Sequence, residues 1–312
     1  MIMSDRSTSR LLSVLAVGIF AVSTASILIR FARQAEVPAL VIAAYRLSFA
    51  AVILSPIVLR HRTAELKRLS RRDWTAAIFS GAFLALHFAT WISSLDCTTV
   101  TSSVVLVSTG PIWVALASWL VLREQLSRPI VIGLIVTVIG GFIVGLSDSR
   151  GFGVSGMQLW GDLLALAGAW FVAGYLLIGR QLRDRMSLIA YIFIVYGTAA
   201  VFLIGLALLS GGSFVSAPNG EPYPPIAFLW LILLAILPQL LGHSSYNYAL
   251  RHLPTTYVAI VTLAEPIGTS ILAFVLLREA PPLLTIIGAA IILIGIGIAS
   301  LKTSGIPETS EV

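Results

Sequence analysis

The chain has 312 residues, of which 58% are hydrophobic and only 11% charged, against about 25% charged in ordinary soluble domains. A soluble fold of this length has too little interior for so much apolar surface, which excludes it and implies an integral membrane protein. The formal charge of +6 marks topology and anionic lipid rather than nucleic acid, because of where it falls along the chain. Cys97 is the single cysteine, so no internal disulfide can form.

Ten apolar segments follow in order. The first, near 11–31, comes after Arg6 and Arg10 and is too long for a signal-peptide core, so it reads as a spanning helix. The next four lie near 38–59, 74–95, 99–122 and 129–146. The second half supplies segments near 157–179, 187–209, 226–250, 255–277 and 282–301. Each can cross about 30 Å of hydrocarbon as a helix. Their apolar runs are continuous rather than alternating, which excludes barrel strands. Pro38, Pro129 and Pro282 stand at segment starts, where a missing N–H costs little. Pro111, Pro238 and Pro266 fall inside segments and are expected to kink them. The loops leave no room for a soluble catalytic domain between segments. The fold expected is all-α and polytopic, with ten transmembrane helices.

With an N-terminus in the cytoplasm and alternating segments, 15 Lys and Arg fall inside and 4 outside, with Arg46 within a span. That bias places both termini in the cytoplasm, and the plasma (inner) membrane is the expected location.

The chain also repeats itself. Gly110-Pro111-Ile112 and Leu122-Arg123-Glu124 recur as Glu265-Pro266-Ile267 and Leu277-Arg278-Glu279, both at an offset of 155 residues. Gly133 and Gly140 map to Gly288 and Gly295 at the same offset, and Gly18 and Arg30 map to Gly168 and Arg180 at 150. The halves are read as 1–150 and 151–312, five helices each. Five is odd, so the second half enters the membrane inverted, an arrangement many transporters use for alternating access.

The ten-helix plan, the Pro-Ile motifs and the Leu-Arg-Glu ends followed by a Gly-rich helix resemble the drug/metabolite transporter superfamily, in particular its EamA-type exporters. The stretch Thr255–Glu279, with Leu263-Ala264-Glu265-Pro266, carries the resemblance most specifically. Where that family commonly has Gly-Glu, this chain has Arg-Glu twice; where the second half has Glu265, the first has Gly110. The resemblance implies export of small metabolites through a central cavity enclosed by both repeats.

Candidate substrate or coupling residues are the polar and aromatic groups within segments. Glu265 either binds a cation or cycles a proton, or it satisfies backbone donors at the proline break. Arg46 holds its charge permanently and needs an anion or carbonyls, whether from substrate, from Glu265 or by snorkelling. His87 and His243 sit at nearly equivalent places and could relay protons or simply pack. Trp91, Trp113, Trp170, Tyr175 and Tyr246 either line a cavity for an amphiphilic solute or fill helix contacts. Ser102, Ser103, Ser108, Thr109, Asn247 and Thr262 could add polar lining or hydrogen-bond across helices. Trp74, Trp160, Tyr223 and Trp230 read as interfacial anchors. Gly133, Thr137, Gly141 and Gly145 form a small face on segment five, Gly288, Gly295 and Ala299 one on segment ten; both are assigned to scaffold.

The expected function is secondary-active export of small metabolites, such as amino acids or amphiphilic compounds. Expected partners are a small-molecule substrate, the bilayer and protons as coupling ion, with no nucleic acid, cofactor or metal, in a monomer. A channel-like facilitator and an intramembrane enzyme are the rivals, although neither a filter-like loop nor an H-E-x-x-H cluster is present in the sequence. The charge bias makes one direct prediction: a cysteine at Arg68→Cys is labelled by impermeant thiol reagent only from the cytoplasmic side, and labelling from outside would overturn the topology.

Overall fold

In hydrocarbon every backbone N–H and C=O must be paired within the protein, so a continuously apolar chain of this kind resolves into helices. The structure, a computed structural model, describes residues 5–98, 103, 106–123, 125–146, 156–278 and 280–301. Among these, eight helices are long and apolar enough to cross a membrane, and two shorter apolar helices, Gly110–Leu122 and Arg128–Ile143, complete the ten expected segments. The only extended pairing among the described residues is an isolated bridge between Ser216 and Pro222, within the loop before the eighth crossing. The protein is an all-α polytopic membrane protein built of two inverted five-helix repeats.

The first crossing is α1 (Asp5–Ser23) and α2 (Ala25–Gln34), which meet at Thr24. Here Ser23 Oγ and Thr24 Oγ1 donate back to the carbonyls of Ile19 and Ala21, at 2.7 Å each, the kind of hydroxyl back-bonding that bends helices. The second crossing is α3 (Ala39–His61), opened by Pro38. A short helix, α4 (Thr63–Arg68), leads to the third crossing, α5 (Arg71–Cys97), whose start is fixed by a Ser70–Asp73 capping box.

The fourth crossing contains α6 (Gly110–Ala117), which continues in π turns over Ser118–Leu122. Then come α7 (Arg128–Gly145), α8 (Gly156–Arg183) and α9 (Leu188–Leu209). The eighth crossing starts as α10 (Pro225–Leu234), widens into a π-helical stretch at Ala235–His243 and ends as α11 (Ser244–Ala249). The ninth is split into α12 (Thr255–Thr262) and α13 (Glu265–Leu277), and α14 (Leu283–Ser300) is the tenth.

The three internal prolines therefore act differently from simple kinks. Pro111 and Pro266 sit in the first turn of α6 and α13, just past a break in the helix, where proline has no N–H to lose. The breaks fall at corresponding places, Ser108-Thr109 and Leu263-Ala264. Pro238 instead lies inside the π-helical stretch, a form that often marks functional sites.

The inversion is visible in the packing. The tenth crossing packs against the fifth, the seventh against the second, and α12 against α6, so three of the contacts pair a helix with its own repeat counterpart. The third crossing packs on the sixth, and its counterpart contact joins the first crossing to the eighth.

Between α7 and α14 the symmetry is explicit. A Cβ added at Gly133 would lie 2.6 Å from Gly295 O, and one at Gly140 would lie 2.8 Å from Gly288 O. Residue 133 thus meets the counterpart of 140, and 140 meets the counterpart of 133: the two helices run antiparallel about a pseudo-two-fold axis. Small residues permit this approach. The working face is Gly133, Thr137 and Gly140, whereas Gly141 lies toward Ser108 at 3.9 Å for an added Cβ. The expected division at residues 150/151 lies outside the described residues, as do Ser102, Glu124 and Glu279.

Loops gather at two ends. Glu65 on α4 accepts from the N–H and hydroxyl of Ser187 at 2.7 Å each, Arg185 meets Asp73 at 3.8 Å, and Arg180 reaches the carbonyl of Leu250 at 3.0 Å. At the opposite end Arg33 pairs with Asp96 at 3.0 Å, and Thr98 donates to Asp162 at 2.7 Å. Tyr223, expected as an interfacial anchor, is instead buried, with its hydroxyl donating to Ser213 O at 2.9 Å. Between the ends the outward surface is apolar, with Val52, Phe79, Ile135 and Ile294 exposed to the bilayer.

Two stability experiments follow. Gly133→Val should force α7 and α14 apart and lower the thermal stability of the detergent-solubilised protein by more than about 1 kcal/mol, and an unchanged melting temperature would contradict the packing described. Arg278, like its counterpart Arg123, ends its helix at a positive φ, 56° and 54° respectively. L residues adopt that region at a cost of roughly 1–2 kcal/mol, which glycine avoids. Arg278→Gly is therefore expected to raise the melting temperature, measured the same way.

Candidate functional site: a cavity between the repeats

The helix breaks, the first-crossing bend and the π-helical stretch converge on one cavity of about 220 Å³. Irregular backbone at membrane depth is tolerated where it lines such a cavity. Ser108, Gly110 and Pro111 line it from the fourth crossing, and Leu263, Glu265 and Pro266 from the ninth. Each half-helix thus turns its first residues toward the space.

Of the nine residues singled out from sequence, seven line this cavity: Arg46, His87, Trp91, Tyr175, His243, Tyr246 and Glu265. Trp113 and Trp170 do not. Their rings pair edge to face at 5.3 Å outside the lining, Trp113 Nε1 donates to Thr109 Oγ1 at 3.1 Å, and Trp170 is 51% exposed toward the bilayer. Of the smaller polar candidates, Ser108 and Thr262 are in the lining, while Asn247 is buried behind it and donates to Tyr175 Oη and to His243 O.

Arg46 is only 2% exposed and is held from two sides. Its Nε donates to Gln239 Oε1 at 2.8 Å, and its guanidinium carbon stands 4.4 Å from the ring centre of Phe88, a cation–π geometry. Nη2 is buried without a hydrogen-bond partner among the described residues. Glu265 lines the same cavity, but no carboxylate of the described residues lies within ion-pair distance of Arg46. A permanent Arg46–Glu265 pair, one of the options open from sequence, is not formed.

Glu265 has other attachments. Tyr246 Oη donates to its Oε1 at 2.8 Å, and its backbone carbonyl accepts from Ser23 Oγ at 3.0 Å. The bend of the first crossing is thereby tied to the break of the ninth, and Thr269 Oγ1 donates back to Ser23 O at 3.1 Å.

The two histidines face the cavity from α5 and from the end of the π-helical stretch. His87 Nδ1 lies 2.9 Å from Gly168 O. A carbonyl only accepts, so Nδ1 carries the hydrogen and the neutral ring keeps its lone pair on Nε2. Its ring stacks on Trp91 at 6.1 Å and 11°. His243 packs edge to face on Phe88 and Tyr246, and its Nδ1 has no partner among the described residues. Trp91 Nε1 is also buried with no partner among the described residues. Leaving buried donors unmatched costs free energy, so such groups call for an explanation.

Gln239 and Tyr196 escaped sequence reasoning. Tyr196 Oη donates to Gln239 O and exchanges a hydrogen bond with Ser244 Oγ at 3.2 Å. The available signal was a carboxamide directly after Pro238 in an otherwise apolar run, together with the fact that residue 196 is the counterpart of Arg46 at the 150 offset.

The descriptor of the EamA-like transporter family matches residues 9–146 and again 159–301. The chain belongs to that family. An Archaeoglobus fulgidus protein named an uncharacterized transporter is 27% identical over 265 residues, 84% of this chain and 87% of that one. The pseudopaline exporter CntI of Pseudomonas aeruginosa is 26% identical over 227 residues, 72% of this chain and 75% of its own. The Escherichia coli inner membrane protein YtfF is 23% identical over 295 residues, 89% and 91% of the two chains. A chain of known crystal structure shares the fold with a TM-score of 0.77 at 19% identity, over 95% of this chain and 98% of that one. The chain is thus a membrane transporter, with a bilayer around it and a small-molecule substrate.

Proposed function

We propose that the protein is a secondary-active exporter of small carboxylated metabolites with an apolar body, amino acids and related compounds foremost. It works in the plasma membrane with both termini in the cytoplasm, as a monomer, by alternating exposure of the cavity between halves 1–150 and 151–312. One observation carries the reading: Arg46, a permanently charged guanidinium with no carboxylate in ion-pair contact among the described residues, lines a cavity whose other side chains are mostly aromatic and aliphatic. A carboxylate would complete that guanidinium with charge-assisted hydrogen bonds. Phe88, Trp91, Val114, Val172 and Leu176 would take the apolar body. The space, about 220 Å³, lies below the roughly 300–1,000 Å³ of drug-sized pockets, which suits a small metabolite.

Protons are the proposed coupling ion, with Glu265 as the carrier. It is a carboxyl at cavity depth with a single side-chain donor, Tyr246, and no cation in ion-pair contact among the described residues. Neither role requires a covalent step, and no enzymatic activity is proposed.

Competition binding to purified protein tests the carboxylate contact, with L-phenylalanine and L-phenylalaninamide as probes. In Arg46→Gln, monodisperse on elution, the acid should lose roughly 10- to 100-fold in affinity, as for a charged hydrogen bond of about 1.5–3 kcal/mol. The amide should lose little. Equal losses for both would reduce Arg46 to scaffold. For coupling, flux is followed in proteoliposomes under an imposed pH gradient: Glu265→Gln should abolish its pH dependence while the protein stays folded, and full pH-sensitive flux in that variant would remove Glu265 from the cycle. The same vesicles distinguish a carrier, which saturates, from a channel-like facilitator, which does not.

A further inference from the structure

We infer that Gln239 is a positioning residue that sets the charge selectivity of the cavity, by fixing Arg46 through Nε while leaving its positive charge uncompensated. The inference rests on the reading of Arg46 as the anion contact.

Gln239 is 0% exposed and lies on the π-helical stretch one residue after Pro238. A guanidinium is planar, with donors on three nitrogens. The single bond from Nε to Gln239 Oε1, at 2.8 Å, holds it along one edge, and Phe88 covers a face at 4.4 Å. Edge and face together leave the group little freedom, and Nη2 is buried with no hydrogen-bond partner among the described residues.

The choice of residue matters chemically. A carboxamide accepts one hydrogen bond without bringing charge, so Gln239 itself takes nothing from the Arg46 field. A carboxylate there would form an ion pair with the guanidinium and close the site to anions. A side chain with no oxygen would leave the charge but release the edge. Gln239 Nε2 is also buried with no partner among the described residues, so the Arg46–Gln239 pair holds more donors than acceptors.

Other groups near Arg46 do not substitute. His87 and His243 line the same cavity, yet among the described residues no hydrogen bond joins either to Arg46, and Tyr196 directs its hydroxyl to the backbone of Gln239. The restraint also crosses between the halves, since Arg46 belongs to the first repeat and Gln239 to the second. At the 155 offset the counterpart of Gln239 is Leu84 on α5, so the first repeat supplies no equivalent acceptor.

The test is competition binding of L-phenylalanine against L-phenylalaninamide to the purified full-length chain. In Gln239→Glu the acid-over-amide preference should fall by at least about tenfold, because the new carboxylate neutralises Arg46. In Gln239→Met, similar in length and uncharged, acid affinity should fall several-fold while amide affinity is kept. A residue that merely packs would weaken acid and amide alike. Wild-type acid-to-amide ratios in both variants would overturn the inference, and the Met variant decides alone if the Glu variant does not elute as a single folded species. Absence of acid preference in the wild-type protein would instead overturn the Arg46 reading, and this inference with it, so the two failures are distinguishable.

Discussion

An unpaired polar group in hydrocarbon is costly, and that constraint arranges the rest of this structure. Any break in a helix must be turned inward, and here the breaks before Gly110 and Glu265 both open on the cavity between the repeats. The bend at Thr24 obeys the same rule, its hydroxyls returned to backbone carbonyls one turn earlier. Pro238, which cannot donate, sits where the helix widens into π turns, and carbonyls there take side-chain donors from Tyr196, Ser244 and Asn247. The two breaks, the bend and the Ala235–His243 stretch thus all reach the cavity lining, whereas the π turns over Ser118–Leu122 do not.

The same constraint explains why the scaffold is so close-packed where it carries no chemistry. Helices in lipid gain nothing from hiding apolar surface from one another, so they associate through close backbone approach. The glycine seam between α7 and α14 supplies this at a pseudo-two-fold axis. The third and sixth crossings use the same device, Gly161, Gly168 and Gly174 meeting Thr98, Trp91 and Phe83, and Gly18 and Gly242 repeat it between the first and eighth.

Much of this was legible in the sequence, because the fold rests on features that leave a periodic or compositional trace. The ten apolar runs, the 155-residue offset and the odd number of helices per half follow from counting, and the glycines at 133, 140, 288 and 295 marked the seam. Seven of the nine candidate residues share one cavity, since a charged or imidazole group in hydrocarbon has few places to go except inward. Trp113 and Trp170 show the limit of that reasoning: an indole is comfortable against lipid, so its presence in a span does not say which way it faces. Gln239 shows the opposite limit. Its role comes from a side chain on a helix almost two hundred positions away, and spacing along one chain segment carries no trace of such a pairing.

Symmetry of the backbone and asymmetry of the side chains then have to be read together. At the repeat offsets Glu265 answers to Gly110, His243 to Phe88, Tyr246 to Trp91, Gln239 to Leu84 and Arg46 to Tyr196. The seam glycines are kept in both halves, whereas nearly every polar group at the cavity is present in only one. Two halves that exchange conformations need equivalent backbones, because each must be able to adopt the shape of the other. A solute handled as proposed needs the reverse: one fixed charge and one acid, each in a single copy, since duplicating them would leave a second buried charge with nothing to pair. The chain repeats its seam glycines and the prolines after its two helix breaks, but not the ionisable groups at its cavity; under the proposed function, the repeated residues serve the exchange of conformations and the unmatched ones serve the solute.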